Sequence, residues 1–436
     1  MRNEDLTALR AAHLDEIQRR YEPILAAHGL DAIILQSGAR HLRRHADDQY
    51  CPLLPVPHFA HFIPLAEPDC LIVVRPGRAP RLVRLLDESF WEQLPEPEVP
   101  FDGLDLVEIR EAKAAESEIP AGRVALVCEP GAAILKSGRF ADADVNPAAL
   151  LKALDGARTL KTPYEIACLA EANRRATAGH RRLAEEFAAS DASELELHLV
   201  YLAVTRQDDP ETPYKNIVAK GAHAATLHHV TYTKRGEPAG SLLVDAGATF
   251  RGYASDITRT HVRGASEAAD RFRALVAGVD AMQQRMCAAV EIGLPYEQLH
   301  DRSHVEIASV LREVGLVRAS VDEAVGNGIT RAFFPHGLGH SLGIQTHDVG
   351  CAEVKPRPEN PFLRNTSPVA AGQVFTIEPG VYFIRSLLGK LQAGPNASAV
   401  DWSVVEQLAP YGGVRIEDDL FIDADGVRNL TREALG

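Results

Sequence analysis

Residues 241–261 read SLLVDAGATFRGYASDITRTH, two strand-like halves around a turn. Each half carries an aspartate, Asp245 and Asp256, among apolar neighbours. Residues 249–252 supply the turn, with Gly252 for the unusual backbone angle. This centres the hairpin between Phe250 and Arg251 and sets the two aspartates face to face. Directly opposed residues hold their Cβ atoms about 4.5–5.5 Å apart, and like charges there are destabilising. At about 5 Å and an effective dielectric of about 20 the repulsion is roughly 3 kcal/mol, before any desolvation. Something positive must sit between them, or one must carry a proton.

Three later stretches bear on which. FFPHGLGHSLGIQTHDVG, residues 333–350, offers His336, His340 and His347 with three glycines between them, so the backbone bends closely instead of running as a helix. VFTIEPGVYF, residues 374–383, ends an apolar strand on Glu378 before Pro379 and Gly380. GGVRIEDDLFI, residues 412–422, alternates so that Arg415, Glu417 and Asp419 share one face while Val414 and Ile416 share the other. A charged pair in an apolar strand is often a plain salt bridge, and a loop histidine is often structural. Taken together, two aspartates, two glutamates and one histidine form a hard, oxygen-rich ligand set. Two divalent cations would balance its four carboxylates; the donors suit manganese, with cobalt or zinc as substitutes.

Upstream, residues 155–187 open a long amphipathic helix. Thr162, Pro163 and Glu165 fit the N-cap, first-turn proline and third-position acid of a capping box, and Ser193 with Glu196 repeats the pattern. The domain boundary is placed at residue 158, giving domains 1–158 and 159–436. In the first of these, DAIILQSG (31–38), CLIVV (70–74), PRLVRLL (80–86) and RVALVCEPG (123–131) read as strands among helices, an α/β layer domain. Further helices are expected near 265–290 and 297–314.

The bulk numbers exclude several classes. The 436 residues are 46% hydrophobic and 24% charged, a globular balance. A net charge of −14 argues against a nucleic-acid partner. No apolar run approaches the roughly 18 residues of a membrane span. The charged start MRNEDLTALR lacks the apolar block of a secretory signal, and the six scattered cysteines suit a reducing compartment, so the expected location is cytoplasmic.

The ordered set Asp245 in VDAG, Asp256 in SDITRT, His340 in HGLGH, Glu378 in TIEPG and Glu417 in RIED resembles the pita-bread metallopeptidases, a family that includes methionine aminopeptidase, Xaa-Pro aminopeptidase and prolidase. TPYKNIVAKG, PFLRNTS, EPGVYFIRSLLG and the N-terminal FWEQLP extend the resemblance over essentially the whole chain, nearest to bacterial prolidases of the PepQ type and to organophosphorus acid anhydrolases. It implies an α/β N-terminal domain followed by a pita-bread catalytic domain, and a dinuclear site. Asp245 would chelate one metal, Asp256 and Glu417 would bridge both, and His340 and Glu378 would complete the second. In such enzymes a metal-bound hydroxide attacks the scissile carbonyl, and Glu378 would carry the proton to the departing proline nitrogen. His336 and His347 match positions that contact the substrate or the tetrahedral intermediate. Arg415 matches the arginine expected to hold the substrate's carboxylate, and Tyr214 and His228 match further active-site positions. Tyr296 and Leu363 match an apolar wall for the proline ring.

The resemblance also implies a homodimer in which Asp48 and Trp91 reach the partner's active site. Ser341 and Thr346 depart from close relatives, which can carry histidine and valine there, and this bears on substrate breadth. The resulting expectation is a dimetal dipeptidase cleaving small dipeptides before C-terminal proline, with phosphotriester hydrolysis as a side activity. The alternatives are an Xaa-Pro aminopeptidase and a non-catalytic binding module of the same fold.

Overall fold

The computed structural model describes residues 3–86, 90–91, 93–94, 96–352 and 354–436. Two compact units divide the chain, Met1–Cys168 and Leu169–Gly436. Of the FWEQLP stretch, Glu92 and Pro95 lie outside the described residues.

In the first unit, α1 (Asn3–His28) leads into β1 (Ala32–Gln36), a short α2 (Pro57–Ala60), β2 (Leu71–Val74), β3 (Arg81–Leu85), β4 (Asp105–Ile109), β5 (Val124–Val127) and α3 (Ala148–Thr159). The strands form one mixed sheet in the order β4-β3-β2-β1-β5. β2 and β3 pair antiparallel, as the Pro-Gly turn between them requires, while β1 runs parallel to β5. The sheet is covered on both faces, which is why β1 reads as a continuous apolar run. Ile33 and Leu35 pack with Ile17, Tyr21 and Leu25 of α1. Ala32 and Ile34 pack on the other side with Ile109, Ile119 and Ile134.

The unit boundary falls within α4 (Pro163–Ala189), whose capping box forms as expected. The Thr162 amide donates to Glu165 Oε2 at 2.8 Å and the Glu165 amide to Thr162 Oγ1 at 3.4 Å. Ser193 and Glu196 cap α5 (Glu194–Thr205) in the same way.

The second unit continues with β6 (Ile217–Lys220), β7 (Ser241–Asp245), β8 (Thr249–Phe250), β9 (Tyr253–Ala254) and β10 (Thr258–Val262). There follow α6 (Glu267–Ala288), α7 (Tyr296–Glu313), α8 (Val321–Gly326) and α9 (Ile329–Phe333). The chain closes with β11 (Val374–Ile377), β12 (Gly380–Tyr382), α10 (Arg385–Gln392), α11 (Trp402–Leu408), β13 (Gly413–Arg415), β14 (Asp418–Asp423), β15 (Gly426–Asn429) and α12 (Leu430–Leu435). The strands form the sheets β10-β7-β6, β11-β14-β15 and β12-β13; Thr258 of β10 bridges to Glu417, between β13 and β14, and Ser341 of the glycine-rich loop bridges to Phe375 of β11. Phe272, Leu275, Val279, Met282 and Met286 of α6, spaced for one helix face, share a core with Phe375, Ile377, Leu420 and Ile422. Fully burying a side chain of this size contributes about 1.5–3 kcal/mol.

The hairpin register differs from the sequence expectation. Asp245 pairs with Thr258, and Phe250 pairs with Tyr253, so the turn centres between Arg251 and Gly252. Both carry positive φ, 49° and 83°, the signature of a type I′ turn whose twist matches the flanking strands. Asp256 therefore lies two residues short of the rung opposite Asp245, in an irregular segment before β10. The expected single strand over residues 412–422 is likewise interrupted at Ile416 and Glu417.

Among the described residues no helix is long and apolar enough to cross a membrane, and all six cysteines are free thiols.

Candidate metal centre

Five side chains from four segments of the second unit meet despite the shifted register. Asp245 ends β7, Asp256 precedes β10, His340 sits in the glycine-rich loop, Glu378 follows β11, and Glu417 fills the break between β13 and β14. The loop reaches this position because Gly339 has no side chain. A Cβ there would lie 2.0 Å from the Thr376 carbonyl and 2.4 Å from the Tyr296 hydroxyl. That contact lets the His340 carbonyl accept from the Thr376 amide at 2.9 Å.

His340 Nε2 lies 3.4 Å from Asp256 Oδ2, 3.7 Å from Glu378 Oε1 and 4.0 Å from Glu417 Oε1. These separations exceed the usual 2.7–3.2 Å of an N–H···O bond, roughly, but suit edges of a coordination shell with bonds of about 2.0–2.2 Å. The tautomer agrees. Nδ1 donates to the Ser341 carbonyl at 3.1 Å, which leaves Nε2 as the nitrogen that faces the carboxylates.

The Tyr214 hydroxyl links the two aspartates, 2.7 Å from Asp245 Oδ1 and 2.5 Å from Asp256 Oδ1. Thr258 Oγ1 donates to Glu417 Oε2 at 2.6 Å. Asp419, on the same side of the interrupted strand, accepts from the Asp256 amide at 3.0 Å and from Asn173 Nδ2 at 2.8 Å.

Electrostatics separate this cluster from an ordinary ion-pair network. Burial, then the neighbouring Asp256, Glu378 and Asp245 charges, raise Glu417 well above the carboxylate range. Burial also raises Asp256 and lifts Glu378 to about 7, with neighbouring carboxylates adding to both. Burial by itself would lower His340; the adjoining Asp256 carboxylate and the Glu378 charge outweigh it and hold the imidazole at about 9. Crowded acids around one imidazole are a costly arrangement for protons alone and, once Nε2 gives up its proton, a natural one for divalent cations. The residues present fit the implied metals.

The remaining expected residues fall into distinct places. His336 Nδ1 donates to the Gly337 carbonyl at 2.8 Å, and Nε2 accepts from the Tyr382 hydroxyl at 2.8 Å. His347 meets His340 edge-on, with ring centroids 4.4 Å apart. Both face a cavity of about 780 Å³ that also reaches Tyr214, His228 and all five cluster residues. Arg415 lies deeper. Its Nε donates to Thr258 Oγ1 at 3.1 Å, Nη1 to the Tyr382 hydroxyl at 3.0 Å, and Nη2 to Asp245 Oδ2.

Arg364, from the PFLRNTS stretch, is a charged cavity-lining residue that sequence reasoning missed. It is exposed, and among the described residues it has no hydrogen-bond or ion-pair partner. Tyr296 departs from expectation. It is fully buried in the core, its hydroxyl donating to the Thr376 carbonyl at 2.8 Å, and so supports the histidine loop from behind. Leu363 lines a smaller cavity of about 200 Å³ shared with His336. The apolar lining of the large cavity comes from Leu227, Val230, Phe362, Ile384 and Leu387 instead. Asp48 and Trp91 are exposed residues of the first unit.

Residues 167–424 match the model of metallopeptidase family M24, and residues 8–155 match that of the Xaa-Pro dipeptidase N-terminal domain. The chain belongs to metallopeptidase family M24, with the N-terminal domain found in Xaa-Pro dipeptidases. It is 44% identical to the Xaa-Pro dipeptidase of Marinobacter nauticus, over 99% of this chain and 100% of that one. It is 38% identical to that of Stenotrophomonas maltophilia, over 100% and 99%. Among solved structures it resembles the low-pH form of Escherichia coli aminopeptidase P, with a TM-score of 0.72 at 22% identity over 96% of this chain and 95% of that one. Pseudomonas aeruginosa aminopeptidase PepP gives the same TM-score and identity. These last two likenesses establish the pita-bread fold.

Proposed function

We propose that the chain is a metal-dependent Xaa-Pro dipeptidase that hydrolyses the imide bond before a C-terminal proline. The observation that carries this reading is the convergence of Asp256, Glu378 and Glu417 on His340 Nε2, with Asp245 joined to Asp256 through the Tyr214 hydroxyl, in a chain whose full-length relatives carry that name. Two divalent cations, manganese foremost, would be held by these five side chains and would supply Lewis-acid polarisation and an activated water.

The chain's own groups then divide the work. Glu378, at the cavity edge of the cluster, takes the proton and delivers it to the proline nitrogen, which leaves poorly unless protonated. His347 donates to the reacting carbonyl's oxygen as charge develops, and His336, with both ring nitrogens engaged, lines the cavity on that side. Tyr214 fixes the relative position of Asp245 and Asp256, and His228 lines the substrate side. Arg415, with three of its nitrogens engaged, orients Asp245. Arg364 is the cation that meets the substrate's carboxylate, for which a guanidinium is the matching fork. Domain boundaries at residue 158, homodimeric assembly, cytoplasmic residence and phosphotriester hydrolysis as a side activity belong to the same proposal.

Cleavage of Ala-Pro against Ala-Pro-Ala by the manganese-loaded chain tests it. The dipeptide is expected to be strongly preferred, with the preference lost in Arg364→Met. A preference for the tripeptide would assign the chain to the aminopeptidases.

A further inference from the structure

One rim of the cavity is built from residues 226–233, TLHHVTYT, which connect the short helical turn Gly221–Ala225 to the run before β7. Leu227, His228 and Val230 face the cavity. The segment has no regular secondary structure, so something else must hold it. That anchor is Glu194, the first residue of α5, fully buried although charged. Its Oε1 accepts from the Lys220 amide at 2.9 Å and from His223 Nδ1 at 2.7 Å. Its Oε2 accepts from His229 Nε2 at 2.9 Å and from the Thr233 amide at 2.8 Å.

The two imidazoles stack with centroids 4.5 Å apart. One turn along α5, His198 packs on Tyr232 with centroids 4.8 Å apart. Burial alone would raise Glu194, but four donors outweigh it and hold the carboxyl at about 2. It is therefore an anion at any working pH, and its four bonds straddle the rim on both sides.

We propose that Glu194, with His223 and His229, is a positioning clamp that fixes the rim of residues 226–233, and that through Leu227, His228 and Val230 it sets substrate affinity and the choice of residue before proline. The clamp touches neither the metal cluster nor the reacting atoms. It acts through the neighbour of His229, namely His228, which is exposed to the cavity and has no partner among the described residues. A site of this design separates chemistry, held by the sheets, from selectivity, held by a strapped loop. The identity of the substrate rests on the dipeptidase reading above; the clamp itself does not.

The test uses the manganese-loaded full chain and three variants, Glu194→Gln, His223→Ala and His229→Ala. Glutamine keeps the size but turns an amide donor against two of the four donors. His223 is half-exposed, so its replacement leaves the fold intact if the buried variant does not fold. KM for Xaa-Pro dipeptides is expected to rise about tenfold, unequally among different first residues, with kcat changed by no more than about twofold and metal content unchanged.

Amide hydrogen exchange across residues 226–233 is expected to accelerate while that of β7 and β10 stays the same. Unaltered exchange in all variants that fold would overturn the clamp. So would equal losses of kcat and metal content, which mark a general structural role. If the parent chain cleaves no Xaa-Pro dipeptide, the dipeptidase reading fails, and the exchange arm alone still decides the clamp.

Discussion

His340 shows how a single hydrogen bond prepares a residue for its task. Because Nδ1 donates to the Ser341 carbonyl, Nε2 is the nitrogen turned to Asp256, Glu378 and Glu417, and it offers them a lone pair once its own proton leaves. Replacing Asp256 by asparagine removes one charge from this set while keeping its shape and its contact with Tyr214. Hydrolysis is expected to fall by at least about a thousandfold. Metal-free Asp256→Asn should melt no lower than the metal-free parent, since it sheds a buried like charge, and only the metal-loaded comparison should favour the parent. Calorimetry with and without chelator reads both signs. Residue identity was largely legible. Acids inside apolar strands announce themselves, because burial of an unpaired carboxylate is costly. Arg364 was not legible, because an arginine in a polar loop carries no pattern until the fold shows which cavity it faces. Arg415 was visible as an unusual charge, but its partner Asp245, 170 positions away, was not.

Elements place these residues, and here the sequence was readable in part. Capping boxes at Thr162 and Ser193 gave helix starts correctly, because their chemistry is local. The hairpin turn was misplaced by one residue. A type I′ turn needs positive φ at both central positions, and Arg251, at 49°, is not a residue that advertises it. Asp245 and Asp256 still meet, because the irregular stretch before β10 brings Asp256 back under Tyr214. The glycine-rich loop behaves as its composition suggests, with a close approach at Gly339. Gly339→Ala forces the loop away from β11, with an expected stability loss of about 1–3 kcal/mol. Because His340 moves with it, bound metal is expected to drop in the same variant. Retention of full metal content, read by elemental analysis, would count against the loop's role in placing the ligand.

At the scale of the whole molecule, metal binding and protonation compete for the same groups. Without cations Glu378 sits at about 7 and Asp256 and Glu417 are raised, all above ordinary carboxylates. Raised acids favour the metal-free fold at low pH and lose that contribution as pH rises through the folded value. Cations must displace those protons, so the gain in melting temperature on adding manganese should grow from pH 5.5 to 8, by roughly 1–3 kcal/mol in binding terms. A gain that is flat with pH would show that protons and cations do not share the site. The two-unit organisation was visible in composition shifts and strand patterns.

The claim on which all this rests is that five buried side chains hold two divalent cations. It is tested most directly by manganese bound per chain, titrated back into chelated protein while Ala-Pro hydrolysis is followed. The expected result is no activity at zero metal, saturation near about two equivalents, and failure of Glu417→Gln to hold both. Undiminished hydrolysis after exhaustive chelation, or a full complement of manganese in Glu417→Gln, would contradict it.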